Sequence, residues 1–393
     1  MRPDIAPVRT LPAYHRDPIT WVSFVELLAF GVLNAGLGAA LPFLRDAEHI
    51  SYLGGALHQV AFAIGGGLAG ILTARVQRMP GRSWAIRGGL LGAAVAWIAV
   101  GYGDRLAITT SAAFLVSLLA TAALIRLWAV LADIHGPRRA VAMAEGEVWV
   151  SLGGIISPLL IAAMAGTALG WRAAFVLGAL LIAATVLLTL RVPIPGPVAR
   201  NVDDSGSDRS SGRRRFPPLL VVVFAIVALE FALTFWLASY LVDDVGLNRQ
   251  LAVTMVSGLY LANLVGRVLA SRLAHRLRVD LVLAGALAVV LLGLPVLLTA
   301  QNALTAELGL AIAGVGIAAT FPLTSALHVA TSRHGADAAM GQVLAIASIG
   351  QMCGPLVVAV LAQVSNLRVG LIALVGFTLL AAGALRWQVS RTG

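Results

Sequence analysis

The sequence predicts an all-α membrane protein: twelve transmembrane helices arranged as two pseudo-symmetric six-helix bundles. Three observations carry that prediction. The first is composition: of 393 residues, 59% are hydrophobic and only 12% are charged. The mean hydropathy of +0.90 fits a polytopic helical membrane protein and no soluble globular class. The second is a series of apolar runs of about 20 residues, the length that crosses a bilayer. Such runs form helices, because a backbone in lipid must satisfy its own hydrogen bonds. The third is an internal repeat. A shift of 197 places Met143 on Met340, Ser151 on Ser348, Gly153 on Gly350 and Pro158 on Pro355, and a shift of 196 places Gly70 on Gly266. A register held through Met, Ser, Gly and Pro points to duplication.

Taken in order, residues 1–18 are polar and Pro-rich without an apolar h-region, so no cleavable signal peptide is expected. Six spans follow, at 19–44, 52–76, 84–103, 107–132, 140–165 and 171–191. The stretch 191–217 then collects Pro, Gly, Ser and charge, including Asp203, Asp204, Ser205 and the run Arg213 to Arg215. That composition buries too little apolar surface to order a chain and predicts a flexible linker. Six more spans are expected at 218–243, 250–274, 279–300, 304–330, 339–364 and 367–389. The domains are therefore 1–190, a linker at 191–217, and 218–393. Small residues such as Gly31, Gly36, Gly38 and Gly65 to Gly67 let neighbouring helix backbones approach closely. Phe321-Pro322 is expected to bend the tenth helix.

The arginines orient these spans. All 28 basic residues are Arg, and with the N-terminus inside, 21 fall on the inner side. The outer loops hold 5, namely Arg45, Arg105, Arg172, Arg249 and Arg368, while Arg126 and Arg267 lie within spans. This bias predicts a bacterial inner-membrane protein with both termini and the linker in the cytoplasm. The net charge of +10 is spread over short loops, which excludes a nucleic-acid-binding face. The single cysteine, Cys353, has neither a disulfide partner nor metal-site spacing. With no phosphate-binding Gly-x-x-x-x-Gly-Lys loop, nucleophile–base set or redox-ligand pattern, the chain reads as neither an ATPase nor an enzyme, with no cofactor.

The ionisable residues inside the spans are the candidates for function. Glu230 lies twelve residues into its span, roughly 18 Å deep at about 1.5 Å per residue. An ionised carboxylate there needs a partner or water, so a proton-coupling role competes with a neutral acid hydrogen-bonded between helices. A shift of 196 pairs Glu230 with Asn34, whose amide offers donors and an acceptor to a solute. Glu26, eight residues before Asn34, either shares the cavity face or snorkels inward. Arg126, Glu145 and Glu147 all fall roughly 7–11 Å from the inner boundary. That depth predicts an ion pair of Arg126 with one of the two acids, leaving the other for a cavity. The pair is either purely structural, or Arg126 binds an anion while the spare Glu carries a proton. Gln342 is the repeat equivalent of Glu145. Trp128, Trp149 and Trp236 are candidates for stacking on a solute ring, against the alternative of packing. His58 and His328 read as hydrogen-bonded packing residues or titrating groups.

Two six-helix halves, a cytoplasmic linker and basic second-to-third loops in each half resemble the major facilitator superfamily. The loop signature of that family is partial here: Ala74 stands where an Asp is usual in Gly70-Ile-Leu-Thr-Ala-Arg75, and Gly266-Arg-Val-Leu-Ala-Ser-Arg272 also lacks the acid. The antiporter Gly-x-x-x-Gly-Pro pattern is degraded around Gly153 and Pro158 but intact from Gly350 to Pro355. Leu229-Glu230 with Trp236 and Tyr240, and Gly314 with Phe321-Pro322, look most like the fucose permease-like group. The fourth-helix acid of its sugar-binding members has no counterpart in 118–125, so fucose itself is not expected.

The resemblance implies a monomeric secondary transporter of a small polar or organic solute, working by alternating access and coupled to protons. Multidrug efflux and a non-transporting receptor or scaffold are the competing readings. Glu230, Glu26, Glu145 and Glu147 are then the proton-coupling candidates. Asn34, Arg126, Trp128, Trp149, Trp236 and Gln342 are the solute-binding ones. The arginine bias makes a direct prediction: a tag inserted in 191–217 is reached by an impermeant reagent only after the cells are opened. Labelling in intact cells overturns the orientation.

Overall fold

The computed structural model describes residues 14–76, 81–196, 217–274, 276–332 and 336–392. They form thirteen α-helices and one short 3-10 turn, with no strand among the described residues. The first six helices are α1 (Pro18–Glu48), α2 (Tyr52–Val76), α3 (Arg82–Tyr102), α4 (Leu106–His135), α5 (Arg139–Ala165) and α6 (Ala173–Thr189). Then come α7 (Pro218–Asp243), α8 (Arg249–Ala274), α9 (Val279–Leu298), α10 (Ala303–Ile317), α11 (Thr320–Thr331), α12 (Ala336–Gln363) and α13 (Leu367–Thr392). Eleven segments are long and apolar enough to cross a membrane, with α10 and α11 counted as one, and the shorter α6 is also apolar. The chain is thus a multi-pass membrane protein. The predicted linker lies largely outside the described residues.

Local chemistry sets the helix ends. Asp17 caps α1 by accepting the Thr20 N–H, and Pro18 follows where no intrahelical N–H is needed. Asn302 caps α10 in the same way through the Thr305 N–H. The tenth span differs from its expected form. It is a broken helix whose interruption falls at Ala318–Ala319 rather than at Phe321-Pro322. Pro322 lies in the first turn of α11, and a proline disturbs the carbonyl four residues before it, here that of Ala318. The break therefore precedes the residue that causes it.

In the first bundle α1 packs on α5, α2 and α3 on α4, and α3 on α6; in the second, α7 packs on α12 and α13, and α10 on α8 and α9. The bundles meet chiefly where α5 packs on α8, α2 on α12 and α1 on α7, with a smaller contact of α1 on α8. The two central helices are the most enclosed, with Leu33, Leu37 and Leu41 of α1 and Trp236 and Tyr240 of α7 all buried.

The repeat seen in the sequence has a physical counterpart. A Cβ on Gly153 of α5 would strike the Leu28 carbonyl and the Val32 nitrogen of α1. A Cβ on Gly350 of α12 would lie 2.7 Å from the Phe224 carbonyl and 3.2 Å from the Ala228 nitrogen of α7. Leu28 and Val32 correspond to Phe224 and Ala228 at the shift of 196. Each bundle thus uses an equivalent glycine in seating the same helix pair backbone to backbone. Gly153→Leu or Gly350→Leu should each destabilise the protein by about 1–3 kcal/mol through overpacking, read as a lowered Tm in detergent. The same substitution at Gly376, where a Cβ would meet nothing within 4 Å, serves as the control.

Candidate functional site: a polar cavity between the bundles

Where the bundles face each other, a cavity of about 90 Å³ sits near the middle of the central helices. The first bundle contributes Asn34 from α1, Gln59 and Phe62 from α2, and Ser151 and Gly154 from α5; the second contributes Glu230, Thr234 and Phe235 from α7, and Tyr260, Asn263 and Arg267 from α8. Asn34 and Glu230, equivalent in the repeat, therefore border the same space. The Glu230 carboxylate makes no hydrogen bond to any described residue, whereas the Thr234 hydroxyl donates to the Glu230 carbonyl at 2.6 Å. A carboxylate left open toward a polar cavity within a membrane can take and release a proton and can bind a polar solute.

At the cavity edge a salt bridge crosses between bundles. Arg267 Nη1 of α8 donates to Glu147 Oε2 of α5 at 2.8 Å, and approaches Ser151 Oγ at 3.4 Å. The pair is accessible: the side chains are 34% and 45% exposed, although Arg267 lies seven residues inside the end of α8. Gly266 explains how Arg267 is held, since a Cβ there would strike the Val315 carbonyl, so α8 is pressed onto α10.

The end of the molecule away from the linker is closed by a second set of cross-bundle contacts. Arg45 and the Tyr52 hydroxyl both donate to Asp243 Oδ2, at 2.8 and 3.0 Å. Arg249 donates to Asp46 Oδ2 at 3.0 Å. The Arg45 guanidinium lies 4.0 Å from the centre of the Tyr52 ring. Asp46 corresponds to Asp243, and Tyr52 to Arg249, at the shift of 197. Each bundle therefore offers an Asp to the first residue of a helix in the other.

Two polar networks lie away from the cavity. Glu26 is fully buried within the first bundle, where Arg87 Nε donates to it at 3.2 Å and the Thr189 hydroxyl at 2.9 Å. Arg87 also donates to the carbonyls of Thr189 and Val192, which ties α3 to the end of α6. Arg82 pairs with Asp133 at 2.8 Å.

The expected pairing of Arg126 with Glu145 or Glu147 is corrected by this geometry. Glu145 turns outward to Arg16, at 2.6 and 2.8 Å, and accepts from the Tyr14 hydroxyl at 2.9 Å. Burial, with the adjacent Glu145 carboxylate, pushes the Tyr14 hydroxyl up to about 12, so it stays a donor. Glu147 turns to Arg267 instead. Arg126 donates to the Ala122 carbonyl at 2.9 Å and reaches the Thr73 hydroxyl at 3.4 Å. Matched depth brought the three residues to one level, but helix rotation points them apart.

The other candidates also lie off the cavity lining. Trp236 is fully buried and donates from Nε1 to the Pro355 carbonyl at 2.9 Å. Trp149 stacks on Phe24, and Trp128 packs against Gly146. Gln342 Oε1 accepts from His328 Nε2 at 3.3 Å, and His58 bonds the Thr109 hydroxyl at 2.9 Å. The aromatic rings that do border the cavity are Phe62, Phe231, Phe235 and Tyr260. Among the described residues no cluster of metal-ligating side chains occurs.

Two helical bundles enclosing a polar cavity between them fit a membrane transporter. The chain belongs to the Major Facilitator Superfamily, whose family profile matches residues 19–341. Its fold is shared with a bacterial homologue of the human lysosomal transporter Spinster, solved inward-facing and occupied. That structure is 16% identical, with a TM-score of 0.75 over 96% of each chain. A mutant of the nucleoside transporter NupG is 12% identical at a TM-score of 0.78, covering 95% of this chain and 100% of that one. The human organic anion transporter MFSD10 is 18% identical at a TM-score of 0.69, again over 95% and 100%. No curated protein sequence matches the chain.

The Glu26–Arg87 pair generates a prediction about stability. Arg87→Leu leaves a fully buried carboxylate without its partner and should cost about 3–5 kcal/mol, seen as loss of folded protein on size exclusion. Arg126→Ala removes no ion pair among the described residues, so its Tm should stay much closer to wild type.

Proposed function

We propose that the protein is a proton-coupled secondary transporter that moves a small polar organic solute across the bacterial inner membrane by alternating access. Glu230 is the group that carries the proton. The observation that supports this most directly is the unbonded Glu230 carboxylate bordering a cavity shared by both bundles. Residues 1–190 and 218–393 act as the two rocking bodies, joined by a cytoplasmic linker at 191–217, in a monomer. On this reading the cross-bundle contacts of Asp46 and Asp243 shut the outer end, and the cavity communicates with the cytoplasm.

Asn34 and Glu230 contact the solute from opposite sides, with Gln59, Thr234 and Asn263 offering further hydrogen bonds. This polar lining favours a polar solute over the amphipathic compounds of multidrug efflux. The likeness to the fucose permease-like group is supported at Glu230 alone, because Trp236 is committed to packing. Glu147 remains the second proton-coupling candidate; Glu26 and Glu145 are engaged by Arg87 and Arg16.

Protonation and solute binding are linked in such a carrier, each altering the equilibrium of the other. Glu230→Gln mimics the protonated acid. It should retain solute exchange in liposomes, lose accumulation driven by a proton gradient, and bind solute with little pH dependence. Unchanged gradient-driven accumulation in Glu230→Gln transfers the role to another group.

A further inference from the structure

Arg267 is the single cationic side chain lining the cavity among the described residues. Its partner, Glu147, comes from the opposite bundle. The guanidinium spends only Nη1 on protein contacts; Nε and Nη2 have no hydrogen-bond partner among the described residues. Half of a planar fork built to grip a carboxylate is therefore open on the cavity side. The carboxylate that holds the other half is itself nearly half exposed, so water and solutes reach the contact.

We infer that Arg267 anchors the anionic group of the solute, a small organic carboxylate, and that Glu147 is an internal counter-ion which the solute displaces. This rests on the transport reading above and adds the substrate class to it. Charge balance supports the assignment. With Glu147 bound to Arg267, the pair is neutral and Glu230 is the remaining charged or protonated group. When a solute carboxylate takes the guanidinium, Glu147 is released as a second carboxylate facing Glu230. Their like-charge repulsion is relieved when Glu230 takes up a proton, so removing either acid removes the linkage. One anion and one proton then load together, and loading severs a salt bridge between the bundles.

The groups around Glu147 are consistent with that role. Arg267 of α8 pairs with it, and Glu230 of α7 is the acid that faces it. On its own helix Ser151 donates to the Glu147 carbonyl, and Glu145 is held by Arg16 and Tyr14. From α4, Arg126 is directed to the Ala122 carbonyl and Thr73. From α1, Glu26 is held by Arg87.

The test uses purified full-length protein and matched probes: lactate with lactamide, benzoate with benzamide, succinate with succinamide. At least one acid should raise Tm while its amide does not. Its binding should tighten as pH falls, by about tenfold per pH unit for one linked proton. Arg267→Gln should weaken acid binding at least about tenfold, the loss of a charged hydrogen-bonding partner. Glu147→Gln should tighten it and flatten the pH dependence. Because Arg267→Gln strands Glu147, the double variant Glu147→Gln with Arg267→Gln is the folding control, stable yet unresponsive to acids. Equal responses to acid and amide, or an acid response surviving in the double variant, overturn the assignment. If no acid binds but a neutral sugar or nucleoside binds and is moved by wild-type liposomes, the anion assignment falls and the transport reading stands. If wild-type liposomes move none of these solutes, both fall.

Discussion

Lipid offers no water to a charge, and the placement of ionisable side chains in this fold follows from that constraint. Glu26 and Arg87 pair inside one bundle through Glu26 Oε1. Arg82 and Asp133 do the same near its linker-side end. Glu145 reaches out of the bundle to Arg16 and Tyr14. Glu230, Arg267 and Glu147 gather at the seam between the bundles, while Arg126 turns to the Ala122 carbonyl of its own helix. The charges thus fall into two sets by location, one enclosed within a half and one at the seam between the halves. A charge shared between halves changes its surroundings when the halves move, and one enclosed in a half does not.

Packing at the seam mixes two kinds of contact. Within each bundle the close contacts are backbone on backbone, through Gly153 on α1 and Gly350 on α7. Between the bundles one contact is just as close, since a Cβ on Gly38 of α1 would lie 2.8 Å from the Thr234 carbonyl of α7. Beside it the seam is filled by side chains such as Tyr260, whose ring lies against Gly154.

Most of the fold was legible in the sequence, because span length and the duplicated register are one-dimensional signals. The depth of Glu230, and its pairing with Asn34, were legible for the same reason. Rotation about each helix was not. Arg126, Glu145 and Glu147 share a depth, yet the angle between successive residues on a helix sends Glu145 to the surface and Glu147 to the cavity. Arg267 stood in the sequence as one of two arginines within spans, with nothing to say which way it faces. Only the packing of Gly266 on α10 turns it toward the axis. The three tryptophans mislead for a general reason: a large ring in a helix satisfies packing in many directions, and Trp236 found its partner in the Pro355 carbonyl. The break before Pro322 was foreseen as a bend but displaced by one helical turn, since proline acts on the carbonyl behind it.

The contacts at the closed end carry an implication about ancestry. Asp46 meets Arg249 while Asp243 meets Tyr52, and the two donors occupy the same repeat position, as do the two acceptors. A surface in which residue i of one unit touches j of another, and j touches i, is the mark of an isologous interface between identical subunits. The present chain preserves that reciprocity within a single polypeptide. A half-length precursor would have used this patch to pair with its own copy, before gene fusion allowed one donor to become an arginine and the other a tyrosine.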